Sequence, residues 1–264
     1  MKIVEIKVKK ILGESKITDY TINPYIGCQH SCFYCYSKHY TRKFLKEKEE
    51  WGKFVYVKVN AAKILEKEIR KKKKGSVYLS SLTDPYQPIE KKYKITREIL
   101  DVLAKNNWKV IIQTKSSLVL RDLDILKKFE EIEVGFTITT LNENLRKIIE
   151  PFSSSIKERI NALKKLKKEN IRTFLFVGPL IFPFVNFEEI RKLIEFGLKN
   201  FDEVFVDKFR VKNDLMKEWK GFIAKSFGRE KERIWESLVK SNGFWKNVRL
   251  NLKKEFGKEI ILLF

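Results

Sequence analysis

The sequence predicts an α/β protein, a partial (β/α)6 barrel with a short N-terminal strand and a mostly helical C-terminal extension. Three observations predict it. Six short apolar segments, rich in β-branched and aromatic residues, recur along the first four-fifths of the chain. Segments with helical periodicity separate most of them. The pattern then changes near residue 212, where tryptophan-bearing amphipathic helices take over. Strand–helix alternation implies right-handed crossovers and a parallel sheet. Six units suit an open barrel better than a closed eight-unit one.

The elements follow in order. Residues 3–8 alternate polar and apolar and read as a strand. Residues 19–26 are extended and form the first of the six segments. Helix-like sequence covers roughly 38–50 and 60–73. The other five segments are Ser76–Ser81, Lys109–Thr114, Ile132–Thr139, Ile171–Val177 and Glu203–Phe209. Each reads as a buried parallel strand. Thr96–Asn106, Ser154–Glu169 and Phe187–Lys199 carry apolar residues at helical spacing. The tail reads as two amphipathic helices bearing Trp219, Trp235 and Trp245, then a strand near Ile260–Phe264. The expected division is an N-terminal strand extension (1–18), the partial barrel (19–211) and a C-terminal extension packed on it (212–264).

The 264 residues suffice for one substantial core. Charged residues make up 34%, a Lys/Glu-rich bias known from hyperthermophiles. The net charge of +22 suits a polyanionic partner such as DNA or RNA, and equally a lysine-rich surface that keeps a heat-adapted protein in solution. The densest run, Arg70 to Lys74, sits where cations also complement a helix dipole. The N-terminus lacks the character of a signal peptide. No apolar run approaches the roughly 18 residues of a membrane span. A soluble, cytoplasmic protein is expected.

All three cysteines fall in one loop, Cys28-Gln29-His30-Ser31-Cys32-Phe33-Tyr34-Cys35. An odd, clustered set is no disulfide framework and points to metal binding in a reducing compartment. Thiolates are the ligands of iron–sulfur clusters. Three of them leave one iron of a [4Fe–4S] cube open to chelate a small molecule. Tyr34, just before the last cysteine, is placed to lie against a flat ligand there. A zinc site would need a fourth ligand, for which His30 and His39 are the candidates, but zinc sites usually pair two C-x2-C elements and only one is present.

The segment from Asn23 to Tyr36 resembles the radical S-adenosylmethionine superfamily, and within it the spore photoproduct lyase-like (DNA repair photolyase-like) group. Ser80-Ser81-Leu82-Thr83-Asp84-Pro85-Tyr86-Gln87-Pro88-Ile89-Glu90, Thr114-Lys115-Ser116, Thr139-Thr140-Leu141, and Glu150-Pro151 with Arg159 extend the resemblance over about residues 19–210. It implies a [4Fe–4S] cluster held by Cys28, Cys32 and Cys35. It also implies S-adenosylmethionine chelating the open iron, and reducing electrons from a donor such as ferredoxin or flavodoxin. The cofactor carries the hard chemistry while the protein orients it and excludes water.

In a barrel the site lies at the C-terminal ends of the strands. There Ser81, Thr83 and Asp84 are placed to meet the methionine amine, and Lys115 the carboxylate. Thr137 and Thr139, sharing one strand face, are placed for the carboxylate or ribose. Gly178 would let adenine approach closely. Each has a plainer reading as well: Asp84-Pro85 as a turn, Lys115 as a solvated lysine, Gly178 as a strand end, the threonines as strand formers. Tyr86, Tyr93, Phe182 and Phe184 are positioned to stack bases, although packing under loops is the better reading for each. Trp108, Trp219, Trp235 and Trp245 read as core. Spore photoproduct lyase uses a further cysteine that this chain lacks, which argues against the lyase reaction itself. A peptide or small-metabolite substrate, and a non-enzymatic metal-dependent nucleic-acid-binding module, are the alternatives.

Overall fold

A computed structural model describes residues 1–45 and 49–264. The strands are β1 (Lys2–Ile6), β2 (Leu12–Glu14), β3 (Tyr20–Ile22), β4 (Tyr25–Ile26), β5 (Phe54–Lys58), β6 (Ser76–Leu79), β7 (Lys109–Thr114), β8 (Ile132–Thr137), β9 (Arg172–Leu180), β10 (Glu203–Lys208) and β11 (Ile261–Leu262). The helices are α1 (Ser37–Leu45), α2 (Ala61–Ile69), α3 (Glu90–Tyr93), α4 (Ile95–Lys105), α5 (Leu123–Leu126), α6 (Glu143–Ile149), α7 (Ile156–Lys168), α8 (Phe187–Asn200), α9 (Met216–Phe227), α10 (Arg229–Lys240) and α11 (Asn242–Phe256).

The main sheet runs β11-β10-β9-β8-β7-β6-β3-β2 and stays open, with β2 and β11 at its edges. The six expected strands, β3 and β6 to β10, are its parallel centre. β11 adds to β10 in parallel and β2 to β3 antiparallel. This is the α/β architecture expected, an open sheet of (β/α) units. The N-terminal strand belongs elsewhere: β1 pairs with β5, and β5 with β4, in a second small sheet. The extended stretch 19–26 is therefore two strands in two sheets, and it delivers the chain into the cysteine loop from the small one.

On β6 and β7 one face is closed, with Val77, Leu79, Val110 and Ile112 at 0% exposure, while Tyr78, Ile111 and Gln113 on the other face are half-buried. These strands are thus fully buried on one face and only partly on the other. β8 is buried on both faces apart from Glu133.

Local chemistry sets the helix starts. Ser155 caps α7 and Glu158 returns the bond in a capping box, so α7 begins at Ile156 and carries Arg159 in its first turn. Asn142 caps α6 by accepting from Asn144 N and Leu145 N. Residues 46–48 of the expected helix 38–50 lie outside the described residues, and α1 is described to Leu45. The tail holds three helices where two were expected. Gly228, at φ 91°, ends α9, and Ser241 caps α11 through Phe244 N. Trp219 and Trp235 are fully buried with Phe209, which joins this tail to the end of β10. No described helix is long and apolar enough to cross a membrane.

Candidate active site

The register aligns the C-terminal ends of the central strands on one rim, with Thr114 of β7 opposite Phe136 and Thr137 of β8 opposite Phe176. The loops leaving that rim carry Ser81, Lys115 and Thr139, and the cysteine loop lies beside them. Its entry is a sharp turn: Gly27 has φ 84°, and a Cβ there would stand 2.5 Å from Phe54 O. Cys28 and Cys32 are buried and Cys35 is half-buried, all as free thiols.

Three neighbouring segments brace the loop. From the segment after β6, Thr83 Oγ1 donates to Gly27 O at 2.8 Å and Gln87 Nε2 donates to the same carbonyl at 3.2 Å. Gln87 Oε1 accepts from Gln29 N at 2.9 Å. From α6, Ile149 O accepts from Phe33 N at 3.1 Å. From the tail, Trp219 Nε1 donates to Phe33 O at 2.8 Å, and Phe222 stacks on Phe33 with ring centres 4.7 Å apart. Lys38 Nζ reaches both Phe33 O and Glu218. The C-terminal extension thus closes over the cysteine loop.

Asp84 sits behind the loop. It accepts from Thr114 Oγ1 (2.7 Å), Lys115 N (2.8 Å) and Tyr86 N (2.9 Å). His30 Nδ1 lies 3.2 Å from its Oδ2, at ion-pair distance but outside hydrogen-bond angles. Burial works to raise the Asp84 carboxyl, but His30, Lys115 and Thr114 outweigh it and hold it well below the usual range. Asp84 is therefore an ionised hub joining the cysteine loop to the end of β7.

A second hub joins α6 and α7. Arg159 pairs with Glu150, both 1% exposed, and donates to Thr137 O and Ser154 O at 2.8 Å each. The Tyr34 hydroxyl donates to Glu150, and Thr139 Oγ1 lies 3.1 Å from Glu150 Oε1 and 3.0 Å from Gly178 O. Tyr34 is thus pinned from inside the core. The Lys115 ammonium stands 5.7 Å from the Tyr34 ring centre. Among the described residues Nζ has no hydrogen-bond partner. Burial disfavours its charge, yet the neighbouring Cys32, Glu150 and Asp84 overcome this and raise its pKa. The result is a cation held ionised beside the cysteines with its donors uncommitted.

The remaining predicted residues occupy the same rim. Ser81 Oγ accepts from Thr21 Oγ1 and Asn23 Nδ2. Thr137 Oγ1 accepts from Gln113 Nε2 at 2.8 Å. Gly178 lies inside β9, which continues to Leu180 rather than stopping at Val177. The sequence reading missed Gln113 and Tyr78, which run Tyr78–Gln113–Thr137 as a polar row across β6, β7 and β8. Their signal was a polar or amphipathic residue at alternate positions within otherwise apolar strands. It also missed Glu90, fully buried, which accepts from Tyr25, Thr96 N and Arg121 beneath the loop. The aromatic residues considered for base stacking serve packing or surface bonds: Tyr86 is 0% exposed, Phe182 packs on Phe244 and Trp245, Phe184 on Phe227, and the Tyr93 hydroxyl bonds Glu5.

The donor set can be tested against a cluster. Burial, aided by Asp84 and Cys35, pushes the Cys28 thiol up to about 12, and burial also raises Cys32 well above its ordinary value. Thiols so buried ionise only when a cation pairs with them, as an iron cluster would. Among the described residues no three His, Cys, Asp or Glu side chains gather at the spacing of a single ion; a four-iron cube holds its thiolates wider apart than one ion does. Both histidines are engaged with carboxylates through Nδ1, His30 with Asp84 and His39 with Asp214. The residues present fit a [4Fe–4S] cluster.

Comparisons with known proteins supply the family. An uncharacterized protein of Methanocaldococcus jannaschii is 44% identical over 192 residues, 72% of each chain. One from Acidianus two-tailed virus is 29% identical over 257 residues, 94% of this chain and 79% of the other. Spore photoproduct lyase, in a variant with bound AdoMet and dinucleoside spore photoproduct, superposes with a TM-score of 0.69 at 16% identity, covering 99% of this chain and 81% of that one. Residues 22–197 match the Radical SAM superfamily, whose members use a [4Fe–4S] cluster and S-adenosylmethionine. That match spans the cysteine loop, both carboxylate hubs and Lys115, and the chain is an enzyme of the radical SAM superfamily.

Proposed function

We propose that Cys28, Cys32 and Cys35 hold a [4Fe–4S] cluster at which S-adenosylmethionine is bound and cleaved, and that the substrate is nucleic acid. The observation that carries the reading is the uncommitted Lys115 ammonium beside Tyr34 and Cys32, at the rim of the sheet. When bound and reduced, the cluster held by Cys28, Cys32 and Cys35 would supply the electron for reductive cleavage of the cofactor, and with it radical chemistry able to abstract hydrogen.

The chain's own residues bind, orient and shield. Lys115 meets the cofactor carboxylate with a charge-assisted bond. Asp84 acts from behind, fixing the Lys115 backbone, while Thr83 and Gln87 hold Gly27. Ser81 on one side and Thr137 and Thr139 on the other place hydroxyl oxygens along the rim, with the Thr139 proton given to Glu150 or Gly178 O. Tyr34, tied to Glu150, presents a fixed ring to the cofactor. Gly178 is assigned to the adenine contact through its backbone, since Phe176 and Asp207 fill the space a Cβ would take. Trp219 and Phe222 of the tail keep water from the loop.

The substrate class rests on charge. A net +22 favours a polyanion, and the dinucleoside bound by spore photoproduct lyase supports a nucleotide-sized site on this fold. The chain has three cysteines, all in the loop. None remains to return hydrogen to a product radical, so repair by the lyase route is not proposed.

The test is anaerobic reconstitution with iron and sulfide, reduction by dithionite with S-adenosylmethionine, and assay of 5′-deoxyadenosine. Cluster-dependent product supports the reading; a chain that takes up zinc alone overturns it. Binding to DNA and RNA across a salt series then tests the substrate class. A steep linear fall of log affinity with log salt is expected, and no binding would redirect the search to peptides or small metabolites.

A further inference from the structure

We infer that Trp51 donates its indole N–H to a sulfur of the cluster or of its cysteine ligands and so sets the cluster's reduction potential. The inference rests on the cluster assignment proposed above. Trp51 is 8% exposed, and its Nε1 is buried with no hydrogen-bond partner among the described residues. A buried donor left unpaired is costly, so such groups normally have an acceptor.

The surroundings say which acceptor. Trp51, Phe54 and Cys28 form a small apolar cluster separate from the main core, with Cys35 and Tyr56 packed against it. The Trp51 and Phe54 rings meet edge to face at 6.1 Å. Ser31, between two of the cysteines, donates from Oγ to Trp51 O at 3.3 Å and ties the segment to the loop. The indole therefore shares its apolar cluster with Cys28 and Cys35, whose sulfurs are acceptors within that cluster. A cavity of about 10 Å³ also touches Trp51, at the lower limit for one water, and is the rival acceptor.

Reduction adds negative charge to a cluster, and a hydrogen bond to its sulfur stabilises the reduced form. Deleting the N–H while keeping shape therefore makes the cluster harder to reduce. The experiment replaces Trp51 with the isosteric benzothienyl amino acid, and separately makes Trp51→Phe. Both proteins and the wild type are reconstituted anaerobically. Iron and sulfide content are measured, then the midpoint potential by EPR-monitored titration.

The expected result is a full cluster whose one-electron equilibrium shifts about tenfold toward the oxidised form, equivalent to about 59 mV, in both proteins. An isosteric protein that fails to take up iron while the wild type succeeds also supports the inference, since shape is unchanged. A full cluster at an unchanged potential in the isosteric protein overturns it and assigns the N–H to water. A wild type without a cluster overturns the cysteine assignment and this inference together.

Discussion

Glu150 and Arg159 form an ion pair with both side chains 1% exposed, and the same carboxylate receives the Tyr34 hydroxyl. Removing one partner strands the other charge in the core. Arg159→Leu is expected to cost about 3–5 kcal/mol in guanidinium unfolding, and the double replacement with Glu150→Leu less than that. An Arg159→Leu protein as stable as wild type would show the pair to be incidental.

The same pair gives a pH signature. Burial works to raise the Glu150 carboxyl, but Arg159, Lys115 and Tyr34 outweigh it and hold it below the ordinary value. A depressed carboxyl contributes stability that is fully present above its unfolded pKa and is lost as pH falls through the folded one. Unfolding free energy should therefore decline on acidification below the usual glutamate range, and Glu150→Gln should flatten that decline. Parallel curves for the two proteins would contradict it.

These hubs show what sequence could and could not reveal. The cysteine loop was legible because its chemistry is local, eight consecutive residues with three thiols. The six central strands were legible because burial imposes short β-branched runs, and Lys115 because it follows one of them. The partner of Tyr34 was not, because Glu150 lies 116 positions away and only folding brings them together. The same holds for Trp219, read as ordinary core, whose indole bonds Phe33 across 186 positions. Strand β5 went unread because it pairs with β1 and β4 outside the main sheet, away from the run of parallel strands. The tail's third helix was missed because Gly228 and Ser241 interrupt an otherwise continuous amphipathic pattern.

Thiol reactivity of the cluster-free chain should follow burial. Cys28 is 6% exposed with its thiol pushed up to about 12, and Cys32 is 5% exposed, whereas Cys35 is half-buried. Iodoacetamide at about pH 8 attacks thiolate and needs access. Cys35 is expected to label first, with Cys28 and Cys32 labelling only under denaturant, as read by peptide mass spectrometry. Equal rates at all three would mean the loop is open without its cluster.

Lys115→Met keeps the aliphatic stem and removes the charge. The proposed bond to the cofactor carboxylate is worth about 1.5–3 kcal/mol, roughly ten- to more than a hundredfold in Kd. Anaerobic calorimetry on the reconstituted variant should show that loss of S-adenosylmethionine affinity at unchanged iron content. Unchanged affinity would make Lys115 a partner of the neighbouring carboxylates alone.

Gly178→Ala separates packing from binding at the rim. A Cβ at Gly178 would lie 2.8 Å from the Phe176 ring and 3.0 Å from Asp207 O. The ring end can swing, but the Asp207 carbonyl belongs to β10 and cannot move without disturbing the strand pairing. Overpacking of this kind costs about 1–3 kcal/mol, read as a lower melting temperature. If the missing side chain also serves adenine, the variant should lose S-adenosylmethionine affinity under conditions where it remains fully folded. Lower stability with full affinity would assign Gly178 to strand packing only, and the adenine contact would then have to come from another residue on the rim.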